Sequence, residues 1–258
     1  MMNMPGIEQV TITDSEEKPV ISIGNLKIAF GSNQVLNDFS LDLHRGENIV
    51  VLGKSGSGKS VLIKCIIGLL QPDAGEISVF DRNILQMDHD ALDQIRAKVG
   101  FLFQSNALYD SMTVRDNLEF PLRRHWIKLD QAKVNEMVIE ALSNVGLAHT
   151  IDMMPIELSG GMRKRIALAR TLILRPEIIL YDEPTTGLDP ITGREISELM
   201  VEIQEKYQTS SLIISHDMKC IERTADKIAV LIDGKCHVLE VFEKLKRSED
   251  KQIRQFFE

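Results

Sequence analysis

The chain has 258 residues, of which 43% are hydrophobic, and its formal net charge is −8. This length and apolar content can build a substantial core, so disorder of the whole chain is not expected. The acidic balance disfavours nucleic acid as a main partner, because binding to the phosphate backbone relies on clustered Lys and Arg. The three cysteines, Cys65, Cys220 and Cys236, have no CxxC spacing and are expected to be reduced core residues of a cytosolic protein.

The first 19 residues form an expected N-terminal extension. Residues 1–18 lack a basic start and an apolar segment, so no secretory signal is expected. Crossing a bilayer needs about 20 apolar residues, and the apolar run at residues 61–70 is interrupted by Lys64. Any membrane role is therefore expected to come through a partner.

Short apolar segments predict the strands. Residues 20–30 and 35–43 alternate around the turn-forming Gly31-Ser32-Asn33 and predict an antiparallel pair. Residues 49–52 predict a buried strand that ends at Gly53. A helix is predicted behind it from the spacing of Val61, Leu62, Cys65, Ile66 and Leu69.

Further strands are predicted at residues 99–103, 178–181, 212–215 and 228–232, with helical stretches between most of them. That alternation predicts an α/β fold with a mainly parallel sheet. Between about residues 105 and 160 the pattern becomes helical, and Gly146 follows residues 134–145 as a helix stop. We interpret this segment as a helical subdomain inserted into one composite domain of residues 20–247, followed by a tail of residues 248–258.

A glycine-rich loop at residues 53–60, called the phosphate loop below, gives the strongest indication of chemistry. It fits G-x-x-x-x-G-K-[ST] and lies between a predicted strand and a predicted helix, as that motif requires. Glycines let backbone N–H groups turn toward phosphates, Lys59 would reach the β- and γ-phosphates, and Ser60 offers a hydroxyl to Mg²⁺. The sequence predicts a site for ATP and Mg²⁺ at Gly53, Lys54, Ser55, Gly56, Ser57, Gly58, Lys59 and Ser60.

Two carboxylates, Asp182 and Glu183, follow the predicted strand at residues 178–181. They lie at the edge where α/β sheets bind ligands. Asp182 is suited to hold Mg²⁺ through a water, and Glu183 is suited to polarise the attacking water as a general base. The alternative, that Asp182-Glu183-Pro184 merely starts a turn, is disfavoured by the presence of the phosphate loop.

A third element is Leu158-Ser159-Gly160-Gly161-Met162, with Ser159 as N-cap of a helical run over residues 163–174. Alone it would be only a helix start. Together with the phosphate loop and the acidic strand end, it makes residues 20–247 resemble the ABC ATPase family. The resemblance implies ATP hydrolysis on a P-loop NTPase core, with an N-terminal antiparallel β subdomain and an inserted helical subdomain.

The resemblance also implies roles for four other residues. Gln104 matches the loop glutamine that contacts Mg²⁺ and the attacking water and senses the transport partner. His216 matches the histidine that contacts the γ-phosphate, although a lone histidine would otherwise be given a structural role. Asp189 matches a loop at the dimer interface. Phe30 matches the aromatic residue that stacks on adenine, and an ordinary core position is its alternative.

Residues 158–162 match the signature motif of this family, and we call them the signature. In this family the signature cannot reach the phosphate loop of its own chain. The resemblance therefore implies a head-to-tail homodimer, in which Ser159, Gly160 and Gly161 of one chain contact ATP held by the other. Met162 replaces the usual glutamine of the signature. Activity is expected to survive, because the phosphate contacts come from the Ser159 hydroxyl, the glycine N–H groups and the helix N-terminus.

Other stretches resemble one branch, the ATPases of Mla/Mce-type lipid transporters. They are residues 101–114 (FLFQSNALYDSMTV), 158–165 (LSGGMRKR) and 252–257 (QIRQFF). That resemblance implies an integral membrane permease, a periplasmic MCE-domain protein, and movement of phospholipid between the inner and outer membranes. The chain would lie on the cytoplasmic face of the inner membrane, bound through the permease.

Several alternatives stay open. The chain could be a non-transport ABC ATPase of the iron–sulfur cluster assembly type, or the ATPase of an amino-acid or metal importer. The basic segment Arg123-Arg124-His125-Trp126 is either a solvated face or a contact with a headgroup or permease. Ile253, Phe256 and Phe257 have helical spacing and either pack on their own chain or dock on a partner.

Overall fold

The computed structural model describes residues 18–124 and 129–258. Most of the expected N-terminal extension, and the His125-Trp126 part of the basic segment, lie outside the described residues. Within the described ranges, no helix is both long enough and apolar enough to span a bilayer.

Ten strands in two sheets and nine α-helices are found in these ranges. The strands are β1 (Ile21–Phe30), β2 (Asn33–Leu43), β3 (Asn48–Leu52), β4 (Ala74–Val79), β5 (Arg82–Asn83), β6 (Val99–Leu102), β7 (Ile178–Asp182), β8 (Ser210–Ile214), β9 (Lys227–Ile232) and β10 (Lys235–Glu240). The helices are α1 (Lys59–Ile66), α2 (His89–Arg96), α3 (Val114–Arg124), α4 (Gln131–Asn144), α5 (Gly160–Leu172), α6 (Pro190–Tyr207), α7 (Met218–Thr224), α8 (Phe242–Lys246) and α9 (Lys251–Arg254). Short 3₁₀ turns lie at Ile84–Gln86, Ala148–Thr150 and Pro155–Glu157.

The N-terminal sheet is antiparallel, with the order β2-β1-β4-β5. The predicted β1–β2 pair is confirmed: Ile21 pairs with Leu43, and Phe30 pairs with Asn33 across a turn in which Gly31 has a φ of +62°. Strands β4 and β5 were not predicted. Strand β4 has only two buried apolar side chains, those of Ile77 and Val79, which is too short a pattern to identify a strand.

The central sheet has six strands in the order β10-β9-β3-β8-β7-β6. All neighbouring pairs are parallel except β10, which pairs antiparallel with β9 at one edge. The predicted mainly parallel sheet is therefore confirmed. Every residue of β3, β7 and β8 is buried, which explains why these strands are continuous apolar runs rather than alternating ones.

The two faces of the central sheet pack into different cores. In β3, Val50 and Leu52 belong to the core that contains α5 and α6, whereas Ile49 and Val51 belong to the core that contains α1 and the antiparallel sheet. Burying one such aliphatic side chain stabilises the fold by about 1.5–3 kcal/mol. A one-residue slip would exchange the faces of all four, so the register of β3 is strongly specified.

The segment after β6 is helical, as the sequence predicts. In α4, Val138 and Leu142 are fully buried, and the helix ends at Asn144, followed by Gly146 with a φ of +72°. The limits of 105–160 for a separate subdomain, and of 20–247 for the whole domain, stay predictions.

Two predicted helices end earlier in the chain than expected. Helix α1 ends at Ile66, before Leu69, because Gly68 adopts a φ of +67° and turns the chain. Leu69 is then 55% exposed instead of continuing the buried face. The helix predicted over residues 163–174 begins at Gly160, directly behind its Ser159 cap, and ends at Leu172.

The C-terminal tail packs on its own chain. Ile253 is buried, and the Phe257 ring contacts the Phe242 ring with 5.6 Å between centroids. Asp250 caps α9, and its Oδ2 lies 2.7 Å from Nε2 of His237. The tail is thereby fixed beside β10 and α8.

Candidate nucleotide-binding and catalytic site

Parallel strands bring the predicted site residues to one edge of the central sheet. Ile214 of β8 is in register with Val51 of β3 and with Asp182 of β7. The carboxyl ends of these three strands therefore meet, and the chain leaves them into the phosphate loop, into Glu183 and toward His216. This edge is where open α/β sheets bind ligands.

The phosphate loop runs from the end of β3 to the start of α1. Gly56 and Gly58 have φ values of +77° and +102°, and a Cβ on Gly58 would lie 2.6 Å from Cγ1 of Val35. Glycine is needed at position 58 for both reasons. Except for Ser57, every predicted loop residue lines one groove of about 610 Å³. Ser57 lies on the adjoining surface, where its buried hydroxyl has no hydrogen-bond partner.

Lys59 is almost fully buried at the base of this groove. Its Nζ donates to the carbonyl oxygens of Gly53 at 2.7 Å and Lys54 at 3.0 Å. Burial lowers the pKa of Lys59, and the nearby carboxylates of Glu183 and Asp182 oppose that shift. A cation held in the loop is suited to bind phosphate oxygens.

Ser60 and Asp182 meet where β7 ends. The Ser60 Oγ donates to Oδ1 of Asp182 at 3.0 Å. Burial raises the pKa of Asp182, although the hydrogen bond from Ser60 acts in the opposite direction. Ser60 lines the groove, and Asp182 lies directly behind it. Mg²⁺ prefers oxygen ligands and keeps several waters, so this oxygen pair fits that ion.

Glu183 is held by contacts on several sides. Its φ of +51° is unusual for a non-glycine residue, and its N–H donates to the carbonyl of Ile214 at 2.9 Å. Thr186 Oγ1 donates to Oε2 at 3.1 Å, and His216 Nδ1 lies 2.9 Å from Oε1 and 2.8 Å from Oε2. The direct contact between His216 and Glu183 was not predicted from sequence.

Gln104 and Phe30 line the same groove from two other elements. Phe30, at the end of β1, is 50% exposed, so the alternative of an ordinary core phenylalanine is wrong. Gln104 follows β6, and its carbonyl accepts a hydrogen bond from Lys164 of α5 at 3.0 Å. The groove therefore contains Phe30, the phosphate loop, Gln104, Glu183 and His216 in one place.

The signature lies elsewhere. Ser159 caps α5 as predicted, since its Oγ accepts from the Met162 N–H at 3.2 Å, and both Ser159 and Gly160 are exposed. A Cβ on Gly161 would lie 2.6 Å from Cγ2 of Thr192, whose hydroxyl donates to Asp189 at 2.6 Å. Neither the signature nor Asp189 lines the phosphate-loop groove.

Asp189 caps α6, where it accepts from the N–H groups of Ile191 and Thr192 at 3.0 and 3.1 Å. The hydrogen bond from the Thr192 hydroxyl, supported by these N–H groups, lowers the pKa of Asp189. Asp189 also lines a larger groove of about 800 Å³ beside α6 and α7, which contains no residue of the phosphate loop.

Two tail residues join the groove unexpectedly. Gln255 and Phe256 line it beside the phosphate loop. From the sequence, Phe256 was expected either to pack on its own chain or to dock on a partner, because nothing local shows that the tail returns to the end of β3. Phe256 lines the groove, whereas the neighbouring Phe257 packs on Phe242, and this difference is not evident from the sequence.

Comparison with known proteins identifies the family. The sequence profile described as "ABC transporter" matches residues 36–186. The chain is 39% identical to the probable ribonucleotide transport ATP-binding protein mkl of Mycobacterium leprae, over 92% of this chain and 68% of mkl. It is 35% identical to the intermembrane phospholipid transport system ATP-binding protein MlaF of Haemophilus influenzae, over 92% of this chain and 89% of MlaF. It is 37% identical to the methionine import ATP-binding protein MetN of Brucella abortus, over 84% of this chain and 58% of MetN.

Solved structures agree with the fold. The ATP-binding cassette MJ0796, a dimer in a post-hydrolysis state bound to ADP and Pi, aligns with a TM-score of 0.77 and 30% identity, over 85% of this chain and 97% of that one. The cbiO1 protein of Clostridium perfringens, part of the ABC transporter complex cbiONQ, aligns with a TM-score of 0.82 and 27% identity, over 93% and 94%. The chain belongs to the ABC transporter family, as an ATP-binding subunit that hydrolyses ATP.

Proposed function

We propose that this chain works as a head-to-tail homodimer around two MgATP and drives a membrane permease that moves phospholipid between the inner and outer membranes. The observation that carries the dimer is the separation of the two halves of the ATP site. The phosphate loop and Glu183 share one groove, whereas Ser159, Gly160, Gly161 and Asp189 lie outside it.

A second chain can supply what the groove lacks. The exposed N-terminus of α5 presents the Ser159 hydroxyl and the first N–H groups of a 13-residue helix. Such an end attracts phosphate oxygens through its unpaired N–H groups and its dipole. ATP bound to one chain and capped by α5 of the other would favour the closed dimer, and hydrolysis would remove that preference.

The polar residues in and behind the groove, and Phe30, have chemical roles in this proposal. Lys59 would hold the β- and γ-phosphates, and Ser60, Asp182 and Gln104 would hold Mg²⁺, whose charge would offset that of the phosphate oxygens. Glu183 accepts a proton from the attacking water. His216, whose ring contacts the Glu183 carboxylate, keeps that base oriented and reaches the γ-phosphate. Phe30 stacks on the adenine.

The phospholipid substrate is supported by the length of the match to MlaF. That alignment spans nearly the whole of both chains, whereas the alignment to MetN covers 58% of MetN. The sequence features shared with Mla/Mce-type ATPases point the same way. The proposed complex also contains a periplasmic MCE-domain protein, and the chain lies on the cytoplasmic face of the inner membrane.

An aromatic groove beside Gln104 suits the permease. It has a volume of about 420 Å³ and is lined by Phe101, Phe103, Tyr109 and Phe120 among others. Phe103, next to Gln104, is 37% exposed, and Tyr109 is 41% exposed. Phe103 lines this groove and directly precedes Gln104, the residue expected to sense the transport partner, which favours the permease as its occupant.

Copurification tests the proposal. For this experiment an affinity tag is added at the N-terminus. The C-terminus is left free because Gln255 and Phe256 line the nucleotide groove. It is purified from detergent-solubilised membranes, and mass spectrometry identifies bound proteins and lipids. We expect a multi-spanning permease, an MCE-domain protein and phospholipid. Recovery with soluble partners alone would contradict a transport role, and a permease with bound amino acid but no phospholipid would favour an importer.

A matched pair of variants locates the permease contact. Phe103→Glu places a charge in the aromatic groove and should release the permease. Leu239→Glu places the same charge on β10 at a residue of nearly equal exposure, 38% against 37% for Phe103, and should retain it. Equal recovery of the permease with both variants would rule out this groove as the contact.

A further inference from the structure

The signature helix α5 holds the Gln104 loop through two cations. Lys164 donates from Nζ to the Gln104 carbonyl at 3.0 Å. Arg170, nearly two turns further along α5, donates to the carbonyls of Asn106 at 2.9 Å and Ala107 at 2.7 Å. Three carbonyl oxygens within four residues therefore accept hydrogen bonds from one helix.

The held segment has an unfavourable backbone. Asn106 and Ala107 have φ values of +65° and +50°, a conformation that non-glycine residues seldom adopt, and Ala107 has no side chain that could compensate. Such a conformation persists where the surrounding contacts determine it. The two hydrogen bonds from the Arg170 guanidinium are among those contacts, together with the bond from the Asn106 N–H to the Phe103 carbonyl at 3.1 Å.

Lys164 is held out of water, which is rare for lysine. The residue is 1% exposed, and burial lowers its pKa to about 8. A buried ammonium group needs a hydrogen-bond partner, and the Gln104 carbonyl provides it. Losing the Gln104 carbonyl would leave the Lys164 ammonium buried without this partner, so the contact fixes the distance between α5 and Gln104.

We propose that Lys164 and Arg170 are positioning residues that make Gln104 and the signature of the same chain move as one unit. The inference rests on the proposed head-to-tail dimer. In that dimer Gln104 serves the ATP on its own chain, and the signature at the start of α5 serves the ATP on the partner. A rigid connection between them links the two ATP sites.

Steady-state hydrolysis tests this link in Lys164→Met, which keeps the length of the side chain and removes its charge. In the wild type we expect a Hill coefficient for ATP of about 2, falling toward about 1 in Lys164→Met. We also expect kcat to fall about 10- to 100-fold, because Gln104 is no longer held in place, while equilibrium binding of ATP is unchanged. Lys164→Arg, which keeps a cation at this position, should have a Hill coefficient close to that of the wild type.

Control variants separate positioning from folding. Arg165→Met changes a cation on the same helix that pairs with Glu195 at 2.8 Å, and should leave the Hill coefficient at the wild-type value. Arg170→Lys keeps the charge but loses the paired hydrogen bonds, and should lower the Hill coefficient and speed hydrogen exchange of residues 104–109.

Three results would overturn the inference. They are an unchanged Hill coefficient in Lys164→Met, a fall in kcat that simply follows a lower melting temperature, and a wild-type Hill coefficient of about 1. The dimer itself is tested separately by ATP-dependent dimerisation of Glu183→Gln in light scattering. A dimer with independent sites would therefore refute the link and leave the proposed function standing.

Discussion

Charged residues at the two ends of the parallel strands are paired differently. We call the side of the central sheet where these strands begin the amino edge and the side where they end the carboxyl edge. At the amino edge, Glu177 pairs with Lys98 at 3.0 Å and Arg45 at 3.1 Å within reach of water. At the carboxyl edge, Lys59 and Asp182 are each 7% exposed, and Lys59 donates to backbone carbonyls instead of to a carboxylate. At the amino edge the charges meet an opposite charge near the surface, whereas the carboxyl edge keeps buried charge for a ligand.

This difference separates structural charge from functional charge within one sheet. Exposed pairs contribute little to stability, about 0–1 kcal/mol each, so their loss is tolerated. Buried groups with shifted pKa values are costly to maintain and are characteristic of functional sites. Substitutions at the two edges should therefore affect different measurements.

The largest effect is expected for Glu183→Gln. The amide cannot accept a proton from the attacking water, so hydrolysis should fall by about 10²- to 10⁴-fold. ATP binding should persist and trap the dimer, which is measured by phosphate release and light scattering. Glu177→Gln makes the same chemical change at the amino edge and should keep wild-type turnover. Normal hydrolysis in Glu183→Gln would refute the general-base assignment.

Lys59→Ala should weaken ATP binding. Loss of a charge-assisted contact to phosphate corresponds to about 1.5–3 kcal/mol, or about 10- to 100-fold in the dissociation constant. Titration calorimetry measures this constant, and Lys98→Ala at the amino edge is the control. Equal affinities in the two variants would mean that the buried cation does not serve the nucleotide.

A smaller effect is expected in the tail. Phe256→Ala removes an aromatic ring from the groove wall and should raise the KM for ATP about 2- to 10-fold, with kcat nearly unchanged. Phe257→Ala removes the neighbouring ring, which packs on Phe242, and should lower the melting temperature with KM unchanged. If Phe256→Ala alters only stability, the tail has no part in the nucleotide site.

The smallest effect is expected for the stability of Glu177→Gln. Hydrogen bonds and charge from Lys98 and Arg45 hold the pKa of Glu177 below its usual value. The stabilisation is therefore present above the unfolded-state pKa of about 4.3 and disappears as pH falls through the lower folded-state pKa. Urea denaturation should show a loss of less than about 1 kcal/mol at pH 7 and none at strongly acidic pH. A loss that grows on acidification would contradict this sign.

Sequence motifs were sufficient to predict the carboxyl edge because local chemistry requires them. Gly58 must adopt a positive φ, and Asp182 and Glu183 must follow a buried strand, so residue type and spacing reveal their environment. The mainly parallel sheet was predicted from the alternation of apolar strands with helical stretches. The functional roles of Gly58, Asp182 and Glu183 stay predictions.

Other features depend on contacts between distant segments. The approach of Phe256 to the phosphate loop, the hydrogen bonds from Lys164 and Arg170, and the pairing of β4 with β1 have no local signal. The early end of α1 does have a local signal, Gly68, but the close approach of Leu92, 2.8 Å from an added Cβ on Gly68, depends on packing. Such features follow from how the chain packs rather than from spacing along it.

The central claim is that each ATP site is completed by a second chain, and mixing two inactive variants tests it most directly. Lys59→Ala disables the phosphate loop, and Ser159→Arg disables the signature. In a mixed dimer one site has both an intact loop and an intact signature. A 1:1 mixture should regain activity up to about a quarter of the wild-type rate, because random pairing places half of the chains in mixed dimers with one whole site of two, and the proposed coupling between sites lowers this value. A rate no higher than the sum of the two variants alone would contradict the head-to-tail dimer.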